Sequence, residues 1–75
     1  MKTVQISLTL PENVKDFVNI VSKFPCDVDL RSGRYVVDAK SLLGIFSLDL
    51  SKPITVEILG DDTDEFIEAI KRFIV

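Results

Sequence analysis

A serine and a lysine stand directly before a short apolar run in the stretch KSLLGIFSLDL, residues 40–50. Serine is a common helix N-cap, because its side-chain oxygen accepts a hydrogen bond from a free N–H group of the first turn. A phosphoryl group on the same oxygen would gain from those N–H groups and from the helix dipole. Lys40 adds a positive neighbour. We therefore interpret Ser41 as the cap of a short helix and as a candidate phosphorylation site, two roles that are compatible.

The apolar side chains that follow Ser41 cannot all face one core. Successive residues of a helix project about 100° apart, so some of this set should lie near solvent. An exposed apolar cluster with a polar rim is typical of a protein-docking surface. The alternative, that these residues fill the core and one leucine is exposed incidentally, stays open at this point. The candidate docking surface consists of Lys40, Leu42, Leu43, Phe46 and Ser47.

Several kinds of catalytic chemistry are excluded by the residue types. The chain contains no histidine, so no step can use imidazole as a base, a nucleophile, a phosphate carrier or a zinc ligand. Cys26 is the only cysteine, which rules out an internal disulfide and favours a buried thiol. The acidic segment GDDTDEFIE, residues 60–68, lacks the alternating ligands and central glycine of a calcium loop. We interpret its acids as the start of a helix, and we expect no enzyme activity, no metal and no cofactor.

The composition is that of one globular domain covering residues 1–75. Apolar residues make up 47% of the chain and charged residues 28%, and no apolar run approaches the roughly 18 residues of a membrane span. The net charge of -3 argues against nucleic acid as a partner, because phosphate contacts need clustered lysines and arginines. The N-terminal segment alternates polar and apolar residues instead of forming the apolar centre of a signal peptide. We expect a cytoplasmic protein without membrane insertion.

The elements that position these residues follow from the spacing of the apolar side chains. Alternation in TVQISLTL, residues 3–10, predicts a first strand. Helical spacing then predicts a helix over residues 10–24, which begins with a capping box formed by Thr9 and Glu12 and stops before Pro25.

Two strands in the middle of the chain and two further elements after the short helix complete the pattern. CDVDL and YVVDA predict a hairpin across the turn RSGR, in which Gly33 can adopt positive φ. A short helix is predicted over residues 41–49, a strand in ITVEIL and a last helix over residues 60–75. The apolar stripe of that last helix comprises Phe66, Ile67, Ile70, Phe73 and Ile74. The order β-α-β-β-α-β-α indicates an α+β fold in which helices pack on one side of an antiparallel sheet.

The chain resembles HPr, the histidine phosphocarrier of the bacterial sugar phosphotransferase system. The resemblance rests on VSKFPCDVDL, on the turn at Ser32 and Gly33, and on DAKSLLGIFSLDL leading into ITVEI, and it covers essentially the whole chain. It implies an HPr-like open-faced β-sandwich, a four-stranded antiparallel sheet with three helices on one face. It also implies that Ser41 matches the regulatory serine of the family. The short helix and the start of the first helix would contact protein partners from the phosphotransferase system or from carbon regulation.

The start of the first helix departs from the family pattern. In the family, a histidine just before this helix carries the phosphoryl group, and an arginine two residues on helps to hold it. In this sequence the two positions fall on or near Leu10 and Glu12. Leucine cannot carry phosphate, and a carboxylate would repel an anion arriving at this helix terminus. We therefore expect an HPr-like protein that does not carry phosphohistidine and acts as a regulatory or protein-docking module.

Two alternatives stay open. The chain could be a phosphocarrier that uses a residue other than histidine, although the hydroxyls of Ser7 and Thr9 lack an adjacent base. It could instead have kept only the fold, as a homo-oligomeric or ligand-binding α+β module. Transfer of an acid-labile phosphoryl group would support the first alternative. A dimer that buries Leu42 and Phe46 would support the second.

Overall fold

The computed structural model describes residues 1–60 and 63–75. Its elements are β1 (Lys2–Ile6), α1 (Pro11–Val21), β2 (Asp27–Ser32), β3 (Tyr35–Asp38), α2 (Leu42–Phe46), β4 (Ile54–Leu59) and α3 (Asp64–Ala69), followed by a 3-10 turn (Lys71–Phe73). The predicted order of strands and helices is confirmed. Within these two described ranges, no helix is both long enough and apolar enough to cross a membrane.

The four strands form one antiparallel sheet in the order β1-β4-β2-β3. β4 therefore lies between β1 and β2, and Val56 stands opposite Val4 on one side and Leu30 on the other. Leu30 is in turn paired with Val37 of β3. Because side chains alternate between the two faces along a strand, these four residues share one face. The predicted four-stranded antiparallel sheet is confirmed.

The hairpin between β2 and β3 turns within residues 33 and 34. Gly33 has a φ of 60°, a conformation that glycine adopts without the steric cost of a Cβ atom. Two-residue hairpin loops need such a residue because their twist then matches that of the strands. The turn fixes the register in which Ser32 is paired with Tyr35.

The core lies between the inner face of the sheet and the helices. Fully buried side chains of the strands include Ile6, Leu30, Ile54, Val56 and Ile58. Two edge-to-face aromatic pairs join the helical layer: Phe17 packs against Phe73 with ring centroids 5.6 Å apart, and Phe24 against Phe66 at 5.2 Å. The predicted apolar stripe of the last helix is confirmed, since its phenylalanines and Ile70 are buried.

The opposite face of the sheet is polar. Arg31 donates two hydrogen bonds to the carboxylate of Glu57, with N–O distances of 3.0 and 3.3 Å. The hydrogen bonds and the charge of Glu57 raise the pKa of Arg31. One face is therefore covered by helices and the other meets solvent, which is the arrangement of an open-faced sandwich.

The first helix starts and ends at other residues than the spacing predicts. Leu10 is the N-cap, with an extended backbone at φ -114° and ψ 144°, and no described side chain caps the helix. The predicted capping box of Thr9 and Glu12 is therefore wrong. Pro11 is the reason: it occupies the first helical position and holds the residue before it extended. At the other end, Phe24 bonds back to the carbonyl of Val21 at 3.1 Å, a tighter turn that ends the helix before residue 24.

The last helix is divided in two, whereas one helix was predicted over residues 60–75. The N–H group of Ile70 is shared between the carbonyls of Phe66 and Ile67, 3.2 Å from each, where the α-helix gives way to the 3-10 turn. The predicted acidic helix start includes Asp61 and Asp62, which lie outside the described residues. Cys26, expected to be buried, is half-buried.

The segment after the 3-10 turn lies along the outer edge of β1. Ser7 donates its N–H to the carbonyl of Phe73 at 2.9 Å, and Val75 donates to the carbonyl of Gln5 at 3.0 Å. These bonds satisfy backbone groups that an edge strand would otherwise leave open to pairing with another chain.

Candidate functional site

The cap of α2 is formed by the side chain of Ser41. Its Oγ accepts a hydrogen bond from the N–H of Gly44 at 3.1 Å, and its carbonyl accepts from Ile45 at 3.0 Å. The backbone of Ser41 is extended, at φ -97° and ψ 103°, as an N-cap requires. The predicted capping role is confirmed. Ser41 is half-buried, and its phosphorylation stays a prediction.

Lys40, immediately before the cap, carries a positive charge and also connects two segments of the chain by hydrogen bonds. Its Nζ donates a hydrogen bond to the backbone carbonyl of Phe24 at 2.9 Å, and its N–H donates to Oδ1 of Asp38 at 2.9 Å. The side chain thus joins the segment that leads into α2 to the segment that leaves α1. Lys40 is half-buried, so its ammonium is less available to a partner than the sequence alone suggested.

The apolar side chains of α2 divide between the core and the surface. Ile45 is fully buried and Leu42 is half-buried against the core. Leu43 is 83% exposed and Phe46 is 41% exposed, and Ser47 at the C-cap is also exposed. The core interpretation therefore holds for Ile45, and the exposure that a docking surface needs is found at Leu43 and Phe46. The structure leaves Leu43 and Phe46 accessible, and their contact with a partner stays a prediction.

Gly44 allows α2 to lie close to β3. A Cβ atom at this position would stand 3.0 Å from Oγ of Ser41 and 3.3 Å from Cβ of Val37, closer than side-chain carbons normally approach. The glycine therefore has a packing role at the cap, beyond being a weak helix former.

The start of α1 supplies a third exposed apolar side chain. Leu10 is 50% exposed, and Glu12 in the first helical turn is exposed as well. Farther along the helix, Asp16 accepts a hydrogen bond from Arg72 at 3.0 Å, and the guanidinium of Arg72 stands over the ring of Phe73. Leucine offers the helix terminus neither a donor nor an acceptor.

An open antiparallel sheet with helices on one face, together with a serine-capped short helix between β3 and β4, defines an HPr-like protein. A family model described as the PTS HPr component phosphorylation site matches residues 13–75. The chain belongs to the HPr family of the phosphotransferase system. The matched residues begin after Leu10 and Glu12, so the start of α1 lies outside the match.

Solved structures agree with the family. HPr-C-His from Thermoanaerobacter tengcongensis is 30% identical, with a TM-score of 0.81 over 96% of this chain and 89% of that chain. A phosphocarrier protein HPr from Bacillus anthracis is also 30% identical, with a TM-score of 0.70 over 99% and 94%. The catabolite repression containing protein Crh of Bacillus subtilis is 25% identical, with a TM-score of 0.66 over 96% and 88%. No curated protein sequence matches the chain.

Two clefts escaped the analysis of the sequence, because they form between segments that are distant along the chain. One, of about 490 Å³, is bordered by Cys26, Leu59 and Thr63 among others. The other lies between the β2–β3 hairpin and the segment after α2. The tie between Lys40 and Phe24 was missed for the same reason. Among residues 1–60 and 63–75, no cluster of carboxylates and thiols is arranged to hold a metal ion.

Proposed function

We propose that this HPr-family chain does not carry phosphohistidine and acts, without enzymatic activity, as a regulatory or protein-docking module. The observation that carries the proposal is the start of α1. The chain has no histidine, and the phosphocarrier position of the family falls on or near Leu10. An alkyl side chain has no atom that can accept a phosphoryl group.

The charge at the same terminus supports the proposal. Glu12 occupies the first turn of α1 and is exposed, on or near the position where the family has an arginine. Acidic residues interact favourably with a helix N-terminus, and a carboxylate in the first turn would repel an incoming phosphate.

The docking surface of the proposed module is apolar and centred on α2. Leu43 and Phe46 project from this helix, and Leu10 is exposed at the start of α1. Large apolar side chains near a polar rim favour contact with another protein. Leu42 and Ser47 complete the surface, with Lys40 beside it. The partner would come from the phosphotransferase system or from carbon regulation, by analogy with the family.

Ser41 is the site through which we propose that docking is controlled. A phosphoryl group on its Oγ would place about two negative charges beside Leu42 and Leu43 and would also meet the N–H of Gly44, which now bonds to this oxygen. Incubation with an ATP-dependent HPr kinase tests the site. We expect label on the wild type and on Ser47→Ala, and none on Ser41→Ala; label that persists in Ser41→Ala would refute the assignment.

The loss of carrier activity is tested with the phosphoenolpyruvate-dependent kinase of the phosphotransferase system. Labelled phosphoenolpyruvate is supplied to this chain and, in parallel, to a histidine-containing HPr as the positive control. We expect acid-labile label on the control alone. Label on this chain would overturn the proposal and support a phosphocarrier that uses another residue.

A second candidate function is assembly of two copies. The Bacillus subtilis Crh is described as a dimer with a swapping domain, and Leu43 and Phe46 of this chain are exposed large apolar side chains that a second copy would cover. Sedimentation over a range of protein concentrations separates the two candidates. A monomer leaves Leu43 and Phe46 free for a different partner, whereas a dimer whose formation is abolished by Leu43→Ser would make α2 a self-association surface.

A further inference from the structure

A polar cleft of about 420 Å³ lies beside the β2–β3 hairpin. The hairpin contributes residues 32–35 to its walls, and the segment after α2 contributes Ser47, Asp49 and Lys52. The volume falls within the range of small-molecule sites in proteins. Leu43 and Phe46 do not line it, so it is separate from the proposed docking surface except at Ser47.

The charges of the cleft are unbalanced in favour of cations. Arg34 comes from the turn and Lys52 from the segment before β4, and neither forms an ion pair with a described carboxylate. By contrast, Arg31 on the neighbouring strand is neutralised by Glu57 at 3.0 Å. Two cations line one cleft, although the chain as a whole has a net charge of -3.

The acidic residue of the cleft is already held in place by the protein. Asp49 accepts hydrogen bonds from the hydroxyl and the N–H of Ser51, and these bonds, with a smaller effect of Lys52, lower the pKa of Asp49. It is therefore an anion at neutral pH. Both bonds use Oδ1, so Oδ2 is available to a donor from a ligand.

The neutral side chains of the cleft are hydroxyls. Ser32 and Tyr35 each offer a donor and acceptors, whereas the hydroxyl of Ser47 donates to the carbonyl of Gly44 and offers a ligand acceptors only. The ring of Tyr35 is accessible because the residue is 69% exposed. A ligand that fits this set needs an anionic group for the cations. It also needs hydroxyl groups, which donate to Asp49 and exchange hydrogen bonds with the serines and the tyrosine.

We propose that this cleft binds a small phosphorylated polyol. A phosphoryl group matches the fork of Arg34 and the ammonium of Lys52, and the hydroxyls of the ligand turn Asp49 from a repelling charge into an acceptor. An inorganic phosphate ion satisfies the cations alone, and a neutral polyol satisfies the acceptors alone. Only a ligand that carries both a phosphoryl group and hydroxyl groups contacts the cations and the hydrogen-bonding side chains of the cleft together.

The binding is tested by nuclear magnetic resonance with three probes: glycerol 3-phosphate, inorganic phosphate and glycerol. We expect amide shifts at residues 32–35 and 47–52, with glycerol 3-phosphate binding at least about threefold more tightly than inorganic phosphate and glycerol causing no saturable shift. Equal affinity for the two anions, or shifts spread over lysines elsewhere, would overturn the proposal.

Charge variants distinguish specific binding in the cleft from general electrostatic attraction of an anion to the protein. Arg34→Met and Lys52→Met each remove one cation of the cleft, and Lys23→Met removes an exposed cation beyond α1 with the same change in net charge. We expect the cleft variants to weaken binding about tenfold, as loss of a charge-assisted hydrogen bond does, and Lys23→Met to bind like the wild type. An equal loss of affinity in all three variants would contradict a specific site in the cleft. Matching amide spectra without ligand establish that each variant is folded.

Discussion

The ammonium of Lys40 donates a hydrogen bond to the backbone carbonyl of Phe24 at 2.9 Å. The contact joins residues that are 16 positions apart and links the entry of α2 to the exit of α1. Because Lys40 precedes the capping serine, the same residue contributes to the stability of the fold and to the electrostatics of the candidate phosphorylation site.

Replacing Lys40 with methionine should test the stabilising half of this role. Methionine keeps an unbranched apolar stem and removes the donor, which leaves the carbonyl of Phe24 without this partner. We expect a loss of about 1–2 kcal/mol in the free energy of unfolding, as for hydrogen bonds to charged groups. Urea denaturation measures it, with the exposed Lys23→Met as the control. Faster reaction of the Cys26 thiol in the variant would show that residues 24–26 have loosened, and an unchanged midpoint would argue against the tie.

The hydroxyl of Ser41 should contribute to stability independently of any phosphorylation. Ser41→Ala removes the acceptor for the N–H of Gly44, so we expect a loss of about 1 kcal/mol. Ser41→Asp supplies a carboxylate that can cap the same N–H, and it should recover most of that loss. Both are measured by thermal or urea unfolding. Equal stability of the alanine variant and the wild type would contradict the observed cap.

Gly44→Ala should be destabilising, although alanine normally favours a helix over glycine by about 1 kcal/mol. The added methyl group would lie 3.0 Å from Oγ of Ser41 and 3.3 Å from Val37, so the cap or the strand must move. We expect a net loss of about 1 kcal/mol, typical of overpacking. In a Ser41→Ala background the cost should shrink, because the closest of the three contacts, with Oγ of Ser41, is gone while those with the Cβ atoms of Ser41 and Val37 remain. An identical cost in both backgrounds would assign the strain to these two Cβ contacts.

A gain of function tests the proposed loss of the phosphocarrier site. The double variant Leu10→His, Glu12→Arg restores an imidazole at the start of α1 and replaces the repelling carboxylate with a cation. We expect it to accept acid-labile label from the phosphoenolpyruvate-dependent kinase, with Leu10→His alone accepting less. The matched control Thr9→His, Glu12→Arg places the imidazole one residue earlier and should stay unlabelled. Absence of label in the double variant would mean that more than these two positions has changed.

The pH dependence of stability should report on Asp49. Because its pKa is lowered in the folded chain, first by the hydroxyl of Ser51, its contribution is present above the pKa of the unfolded chain. That contribution is lost as the pH falls through the folded pKa. Asp49→Asn should therefore be less stable than the wild type near neutral pH, and the difference should disappear in acid, once the pH is below the pKa of Asp49 in the folded chain. Ser51→Ala should raise the pKa of Asp49 in a carboxyl titration, and a constant difference at all pH values would contradict this account.

The spacing of apolar residues predicted most of the fold, because each strand and helix buries one face. Alternation around Val56 and the stripe through Phe66 and Ile70 indicated the correct elements and the correct buried side chains. The boundaries were less accurate at α1, where Pro11 moved the cap from Thr9 to Leu10. The spacing of apolar residues carries no information about the backbone restriction that a proline imposes on the residue before it.

The candidate site was predicted in part. The cap at Ser41 follows from local sequence, and the structure shows it. The exposure of Leu43 and the burial of Ile45 depend on how α2 is rotated against β3, which the close approach of Gly44 to Val37 determines. Contacts between distant segments, such as the cleft shared by Arg34 and Lys52, leave no periodic trace in a single sequence.

The position of β4 between β1 and β2 has a consequence for fragments of the chain. A fragment that ends before Ile54 contains the hairpin and α1 but lacks the strand that, among the described residues, joins β1 to β2. Ile6 and Leu30 then have no common sheet to bury them, and we expect such a fragment to be cleaved rapidly by protease. Protection should appear abruptly in fragments that include residues 54–59, because the sheet then forms as one cooperative unit.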